Sequence, residues 1–259
     1  MPITREERLK RTALLLDDCQ LEALRHAHVM LFGLGGVGSF AAEALARVGV
    51  GRLTLVDSDT VAASNVNRQL PALQSTVGRL KTEVMLERLR DIAPDADIRA
   101  INAFYLPDAP VPIPEDCTAV ADAIDTVAAK LHLAELCAKR GIPLVSCMGM
   151  GNRLDPTRIR VGDLYETSGC PLCRVMRQEL RKRGVSALRC VYSTEPALVP
   201  RAQREAEAKE TGRPAPGSIS FVPSVAGLYM AYELVRVICQ LKGSNEKNSV
   251  KIGSMRKLV

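Results

Sequence analysis

The sequence predicts an α/β fold: a doubly wound, mostly parallel sheet with helices on both faces, then a basic helix-and-loop insertion and a closing C-terminal helix. Three observations carry that prediction. Short apolar runs alternate with helical stretches through residue 147, the order that builds parallel strands joined by crossover helices. A glycine-rich turn joins the first run to the first Ala-rich helix. The 259 residues are 47% hydrophobic and 25% charged, enough for one large α/β domain or two small ones. Disordered, collagen-like and disulfide-scaffold classes are thereby excluded.

Residues 6–26 carry apolar positions at helical spacing and predict one or two short helices, so residues 1–27 form an N-terminal helical segment. Residues 28–32 are an apolar run ending at Gly33, as a buried parallel strand requires. Residues 39–47 are Ala-rich and helical, with Gly49 and Gly51 as stops. Residues 52–56 are a second strand, running into Asp57. An amphipathic helix over 82–92 ends at Pro94, and 98–104 is a further strand. Residues 119–123 predict a strand closing on Asp125, 128–140 a helix stopped by Gly141, and 142–147 the next strand.

Beyond residue 150 the pattern loosens. Residues 158–161 predict a strand and 171–183 a basic helix. Residues 195–218 hold four Pro and several charges and predict a mobile loop. Residues 222–241 form the closing helix, with a loosely ordered tail from Gly243. The implied boundaries are an α/β domain over 28–165, a basic helix and loop over 166–221, and 222–259 completing the first domain.

Lys plus Arg outnumber Asp plus Glu by 35 to 29, and aromatic residues are 3% of the chain with no Trp. Scarce aromatics argue against stacking single-stranded bases but leave room for a basic surface that reads phosphates. From Arg174 to Arg213 there are ten Lys or Arg against five Asp or Glu. Arg174, Arg177 and Arg181 recur at intervals of three and four, and with Lys182 and Arg183 they offer a helix face to a nucleic acid. The bland alternative is a solvated face. The eight Cys are scattered and the N-terminus is too charged for a secretory signal, which predicts free thiols in a reducing, cytoplasmic setting. Residues 219–241 are apolar, but Pro223, Glu233 and Arg236 are costly in lipid. A buried helix without stable membrane insertion is expected.

Gly33-Leu34-Gly35-Gly36-Val37-Gly38 fits G-x-G-x-x-G after a strand and at a helix start. Its glycines allow a tight turn and close backbone approach, and the helix N-terminus favours a phosphate, which makes the sheet Rossmann-like. Asp57 ends the next strand, at the spacing where ribose hydroxyls are caught. This much suits NAD as readily as ATP. The run from Asp57 to Gln69 then packs acids, amides and Arg68 into one loop. A nicotinamide slot has no use for a cation there. Arg68 and Lys81 suit the oxygens of a triphosphate, and Asp125 at a strand end suits Mg²⁺. Each alone reads equally well as a solvated loop charge; the set at strand ends does not.

In order and spacing, G-x-G-G-x-G, D-x-D-x-V-x-x-S-N-x-x-R-Q, V-G-x-x-K and D-x-x-D cover residues 8–150 together with their flanks. This stretch resembles the ThiF/MoeB-like adenylating superfamily, which includes the ubiquitin-activating enzymes and the activators of bacterial sulfur-carrier proteins. Residues 37–47 and 190–195 most resemble the tRNA threonylcarbamoyladenosine dehydratase family. The resemblance implies that residues 28–165 bind ATP for adenylation, with Gly35, Gly36 and Gly38 at the phosphates and Asp57 on the ribose. Asn65, Arg68 and Lys81 would orient the triphosphate, Asp59 and Gln69 would complete the set, and Asp125 would hold Mg²⁺. Arg11 matches an arginine that reaches a neighbouring subunit's site, which implies a homodimer; the alternative is an ordinary surface Arg. Arg11, Arg68, Lys81 and Asp125 would be the catalytic residues.

The implied reaction activates the threonyl carboxylate of the modified adenosine at position 37 of tRNA. The adenylate then closes on the neighbouring carbamoyl group, and AMP leaves. Two other readings stay open: adenylation of a ubiquitin-like carrier's C-terminal glycine, and a silent adaptor in sulfur relay with a cysteine-desulfurase or sulfur-acceptor partner. Carrier activators hold zinc with two C-x-x-C pairs, whereas Cys170 and Cys173 form one pair and no second follows near the closing helix. Zinc is therefore disfavoured, and Cys170 and Cys173 read as a redox pair or as two free thiols. Cys190 lies in the segment that resembles the dehydratases and reads as a functional residue or, the commoner case, as a small buried one.

Overall fold

The computed structural model describes residues 3–198 and 216–241. Most of the loop expected over 195–218 and the whole tail from Gly243 lie outside the described residues.

Polar caps set the N-terminal helices. Thr4 and Glu7 form a capping box on α1 (Arg5–Leu9), and Asp17 and Gln20 form one on α2 (Asp18–His26). β1 (His28–Phe32), α3 (Gly38–Val48), β2 (Arg52–Asp57), α4 (Lys81–Ile92) and β3 (Asp97–Asn102) follow. Then come β4 (Ala119–Asp122), α5 (Val127–Arg140), β5 (Leu144–Cys147), β6 (Ile159–Asp163), α6 (Pro171–Lys182), β7 (Arg189–Ser193) and α7 (Phe221–Ile238). Gly49 (φ 101°) and Gly141 (φ 65°) end α3 and α5 in the left-handed region that an L side chain resists. β3 stops two residues short of its expected end, and Phe104 turns outward, 54% exposed.

The seven strands make one sheet in the order β3-β2-β1-β4-β5-β7-β6, parallel except for β6, which runs antiparallel to β7. Successive residues of β1 face opposite sides. Val29 and Leu31 join the core under α3 and α7, while Met30 and Phe32 join the core under α5 and α6. β7 was not expected from the sequence. It lies inside the stretch assigned to the 166–221 insertion, yet it pairs with β5 and β6 and belongs to the main sheet. Its short run, interrupted by Tyr192 and bounded by Arg189 and Ser193, carries too little periodicity to stand out.

α7 is one-sided rather than wholly buried. Val222, Ala226, Met230 and Leu234 enter the core, whereas Leu228, Tyr229 and Tyr232 are exposed. A Cβ on Gly227 would stand 2.3 Å from the Val37 carbonyl oxygen, so α7 crosses close over the start of α3. Glu233 is 1% exposed and bonds Arg189 and Arg236. Burial alone would raise its pKa, but the two guanidiniums hold the carboxyl below its ordinary value. The charges that argued against a membrane span are thus satisfied by protein partners.

Candidate active site

The C-terminal ends of β3, β2, β1, β4 and β5 open into one cleft of about 580 Å³. Such strand ends are where ligands bind in open α/β sheets. The cleft gathers Gly35, Gly36, Asp57, Asp59, Asn65, Arg68, Gln69, Lys81 and Asp125, residues drawn from the β1–α3, β2–α4 and β4–α5 connections and the helix start that closes the second.

The glycine loop is shaped by collisions that a side chain would cause. Gly33 (φ 90°) would place a Cβ 2.7 Å from the Ala123 carbonyl oxygen. Gly38 would place one 1.8 Å from the Gly33 carbonyl oxygen. Gly38, expected among the nucleotide contacts, is buried at the start of α3 and absent from the cleft wall. It closes the turn that presents Gly35 and Gly36. The Asp57 carboxylate ties β2 to this loop, accepting from Leu34 N at 2.6 Å and Asp59 N at 2.7 Å. Each oxygen keeps capacity for a second donor.

Lys81 opens α4, and its Nζ lies 2.8 Å from Asp59 Oδ2. Lys81 is buried while Asp59 is exposed, so the ammonium is held at the cleft by an acid that water also reaches. Arg68 Nη1 donates to the Ser64 carbonyl and to Asn67 Oδ1, both at 2.9 Å. Asn65 Oδ1 accepts from Ala62 N at 3.1 Å, closing the turn before Arg68. Gln69 is buried, and its Oε1 has no hydrogen-bond partner among the described residues. Asp125 is exposed in the cleft, and its Oδ1 accepts from Thr126 Oγ1 at 3.5 Å. Arg11 is exposed between α1 and α2 and does not line its own cleft. α1 is fixed by Arg5 and Arg8, each 2.8 Å from Asp95.

Sequence reasoning missed the group at the cleft floor, where Lys130 and Cys147 line the wall. Lys130 Nζ donates to Asp122 Oδ2 (2.9 Å), Ser146 Oγ (3.3 Å) and the Cys147 carbonyl (2.7 Å). Ser146 Oγ donates to the same Asp122 oxygen at 2.6 Å, and Asp122 Oδ1 accepts from Ile124 N at 3.1 Å. Asp122 is therefore spoken for, and Asp125 is the carboxylate of D-x-x-D that faces the cleft. The available signal was a lysine among Ala128, Ala129, Leu131 and Leu133 on a core-facing helix. Tyr105 was missed too. Its hydroxyl lies 2.8 Å from His132 Nδ1, its ring meets Phe32 edge-on, and burial pushes its pKa up to about 12.

The basic face of α6 is not a uniform stripe. Arg177 turns inward, donating from Nη1 to the Thr167 carbonyl (2.8 Å) and hydroxyl and to the Leu164 carbonyl (3.4 Å). Lys182 and Arg183 pair with Glu179, and Arg181 stacks over the Tyr165 ring at 5.2 Å. Arg174 is exposed and has no partner among the described residues. Unmet carbonyls near Thr167, invisible in helical spacing, decide where Arg177 goes.

Cys170 caps α6 and Cys173 lies in its first turn; both are free and buried. Contact with Cys173, then burial, pushes the Cys170 pKa up. Cys170 draws Cys173 down, but Cys190 and burial prevail and carry it up to about 11. Burial takes Cys147, at the cleft wall, up to about 12. These thiols stay protonated near neutrality and are poor nucleophiles. No three His, Cys, Asp or Glu side chains are grouped to hold a metal among the described residues.

The ThiF family model matches residues 9–257 of the chain. A tRNA threonylcarbamoyladenosine dehydratase of Bacillus subtilis is 44% identical over 83% of this chain and 88% of its own length. The solved structure of the Escherichia coli tRNA N6-threonylcarbamoyladenosine dehydratase in complex with ATP is 33% identical, with a TM-score of 0.78, covering 91% of this chain and 95% of that one. A molybdopterin-synthase adenylyltransferase of Escherichia coli is 33% identical over 83% of this chain and 86% of its own length. The glycine loop, the Arg68–Lys81–Asp125 cleft and these similarities agree: the chain belongs to the ThiF family, in the branch of the tRNA threonylcarbamoyladenosine dehydratases.

Proposed function

We propose that the protein uses ATP to dehydrate N6-threonylcarbamoyladenosine at position 37 of tRNA. The observation that carries this reading is the convergence of the glycine loop, Arg68, Lys81 and Asp125 on one cleft, in a chain so similar to the Bacillus subtilis dehydratase. A threonyl carboxylate oxygen attacks the α-phosphorus, the bond to the β-phosphate oxygen breaks, and pyrophosphate leaves. The carbamoyl group then attacks the activated carbonyl, and AMP departs with the former carboxylate oxygen. No protein nucleophile is needed. Gly35 and Gly36 let phosphate approach the backbone, Asp57 faces the ribose, and Arg68 and Lys81 stabilise charge on the leaving pyrophosphate. Asn65 and Gln69 shape the loop that carries Arg68. Mg²⁺ fits Asp125, an exposed lone carboxylate of the kind this ion takes alongside substrate phosphates. Bound there, the ion would neutralise phosphate charge.

The deciding experiment is ATP–pyrophosphate exchange with tRNA carrying threonylcarbamoyladenosine, run beside candidate carrier proteins. Exchange that follows the modified tRNA supports the reading. Exchange that follows a carrier protein and ignores the tRNA replaces it with carrier adenylation, and no exchange with either replaces it with the adaptor.

Arg11 acts in trans within a homodimer in this reading, which is supported by its exposure and its distance from its own cleft wall. Arg11→Ala and Lys81→Ala chains, each strongly impaired alone, should recover activity on mixing, since a mixed dimer contains one complete site. Continued inactivity after verified subunit exchange rejects the trans arginine. Arg174, at the cleft end of α6, is the first tRNA contact, with Arg181, Lys182 and Arg183 as weaker, internally paired ones. Arg174→Glu should weaken tRNA binding across sequences and lower the salt slope by about 1; an unchanged slope in a salt titration removes α6 from the interface. Eight free thiols suit a reducing, cytoplasmic setting, where a sulfur-relay partner would also be found.

A further inference from the structure

Strand order fixes how a nucleotide lies along the cleft and leaves one end for the second substrate. Asp57 ends β2 and the glycine loop follows β1, so base and ribose lie toward β3, where Phe104 and Tyr105 line the wall. The phosphates cross the end of β1. An acyl group that attacks the α-phosphate must come from the other side, over the ends of β4 and β5.

There the wall changes character. Residues 148–151, which follow β5, contribute two methionines and two glycines and no charge, with Leu172 and Pro216 closing the surface. Gly149 is the flat spot. A Cβ built on it would meet only the Leu172 Cβ, 4.0 Å away, and its φ lies outside the left-handed region. The fold therefore does not demand glycine here. Gly151 differs, since its Cβ would stand 2.7 Å from the Pro216 Cβ. The Gly149 carbonyl accepts from Arg153 Nε at 3.2 Å. Arg153 is 3% exposed, and its Nη1 has no hydrogen-bond partner among the described residues. A buried guanidinium thus stands behind the wall that an approaching carboxylate must pass, where low dielectric strengthens its attraction.

We propose that the 148–151 segment is the subsite for the threonylcarbamoyl group. Gly149 is left without a side chain to admit the planar carbamoyl unit, and Arg153 is a positioning residue that fixes the Gly149 carbonyl. This rests on the dehydratase reading and specifies its substrate end.

The test compares wild type with Gly149→Ala and Gly149→Val. ATP affinity is measured by calorimetry without tRNA, and kcat and KM with the modified tRNA. ATP affinity should stay within about twofold, which also reports intact folding. The kcat/KM for modified tRNA should fall about tenfold with Ala and at least about 100-fold with Val, as steric intrusion on a close-fitting group demands. A Gly149→Val enzyme with wild-type kcat/KM overturns the subsite. So does a loss of ATP affinity in Gly149→Ala that matches its loss in kcat/KM, which would place Gly149 at the nucleotide. A wild-type enzyme that ignores the modified tRNA overturns the dehydratase reading itself, and the subsite with it.

Discussion

Lys130→Met lowers the unfolding free energy by about 3–5 kcal/mol, the usual cost of breaking a buried ion pair from one side. Lys130 and Asp122 are 1% and 0% exposed in their side chains and lie 2.9 Å apart. The methionine would fill much of the space but leave the carboxylate in the core with Ser146 Oγ and Ile124 N as its remaining donors. Urea unfolding reads the loss directly, and a change below about 1 kcal/mol would show that the pair contributes little. The double variant Asp122→Asn/Lys130→Met removes the uncompensated charge and should recover a substantial part of the stability. Activity should fall with the single variant as well. The same network ties the β4 end, which carries Asp125, to the β5 end, which carries the 148–151 wall.

Lys81→Ala should leave stability nearly unchanged and reduce turnover by on the order of 10²–10³-fold, the scale for removing one preorganised charge from a transition state. Its partner Asp59 is 63% exposed in its side chain and remains hydrated when the ammonium goes. Steady-state kinetics on the modified tRNA, together with urea unfolding, make the check. Full activity in Lys81→Ala would remove it from the site. Loss of activity in proportion to lost stability would make its role structural. The two variants thus separate two roles: the buried Lys130–Asp122 pair of the fold, and the proposed phosphate contact of Lys81.

Much of the site was legible because its parts are local. The glycine turn, Asp57 at a strand end and the Asn65–Arg68–Gln69 loop are each set by residues within a few positions of one another, and backbone geometry demands particular residue types there. The apolar runs of β1, β2, β4 and β5 announce strands buried on both faces. Other features depend on partners far away in sequence. Arg177 looked like one tooth of a basic comb until the Thr167 carbonyl claimed it. Gly38 looked like a phosphate contact, yet it is the Gly33 carbonyl that leaves it no room for a side chain. β7 became a strand because the free edges of β5 and β6 offered it two ladders.

The sequence by itself determined the fold class and the glycine turn, since periodicity and short motifs encode backbone conformation directly, and the resemblance of its motifs identified the family. Only the tertiary structure decided which charges are free to act. It committed Asp122 to Lys130 and left Asp125 to the cleft, turned Arg177 inward, and left open space beside Gly149 in the cleft wall. The reason is physical: a buried polar group must find its partner wherever the packing of distant strands and helices places one, and spacing along the chain does not record that place.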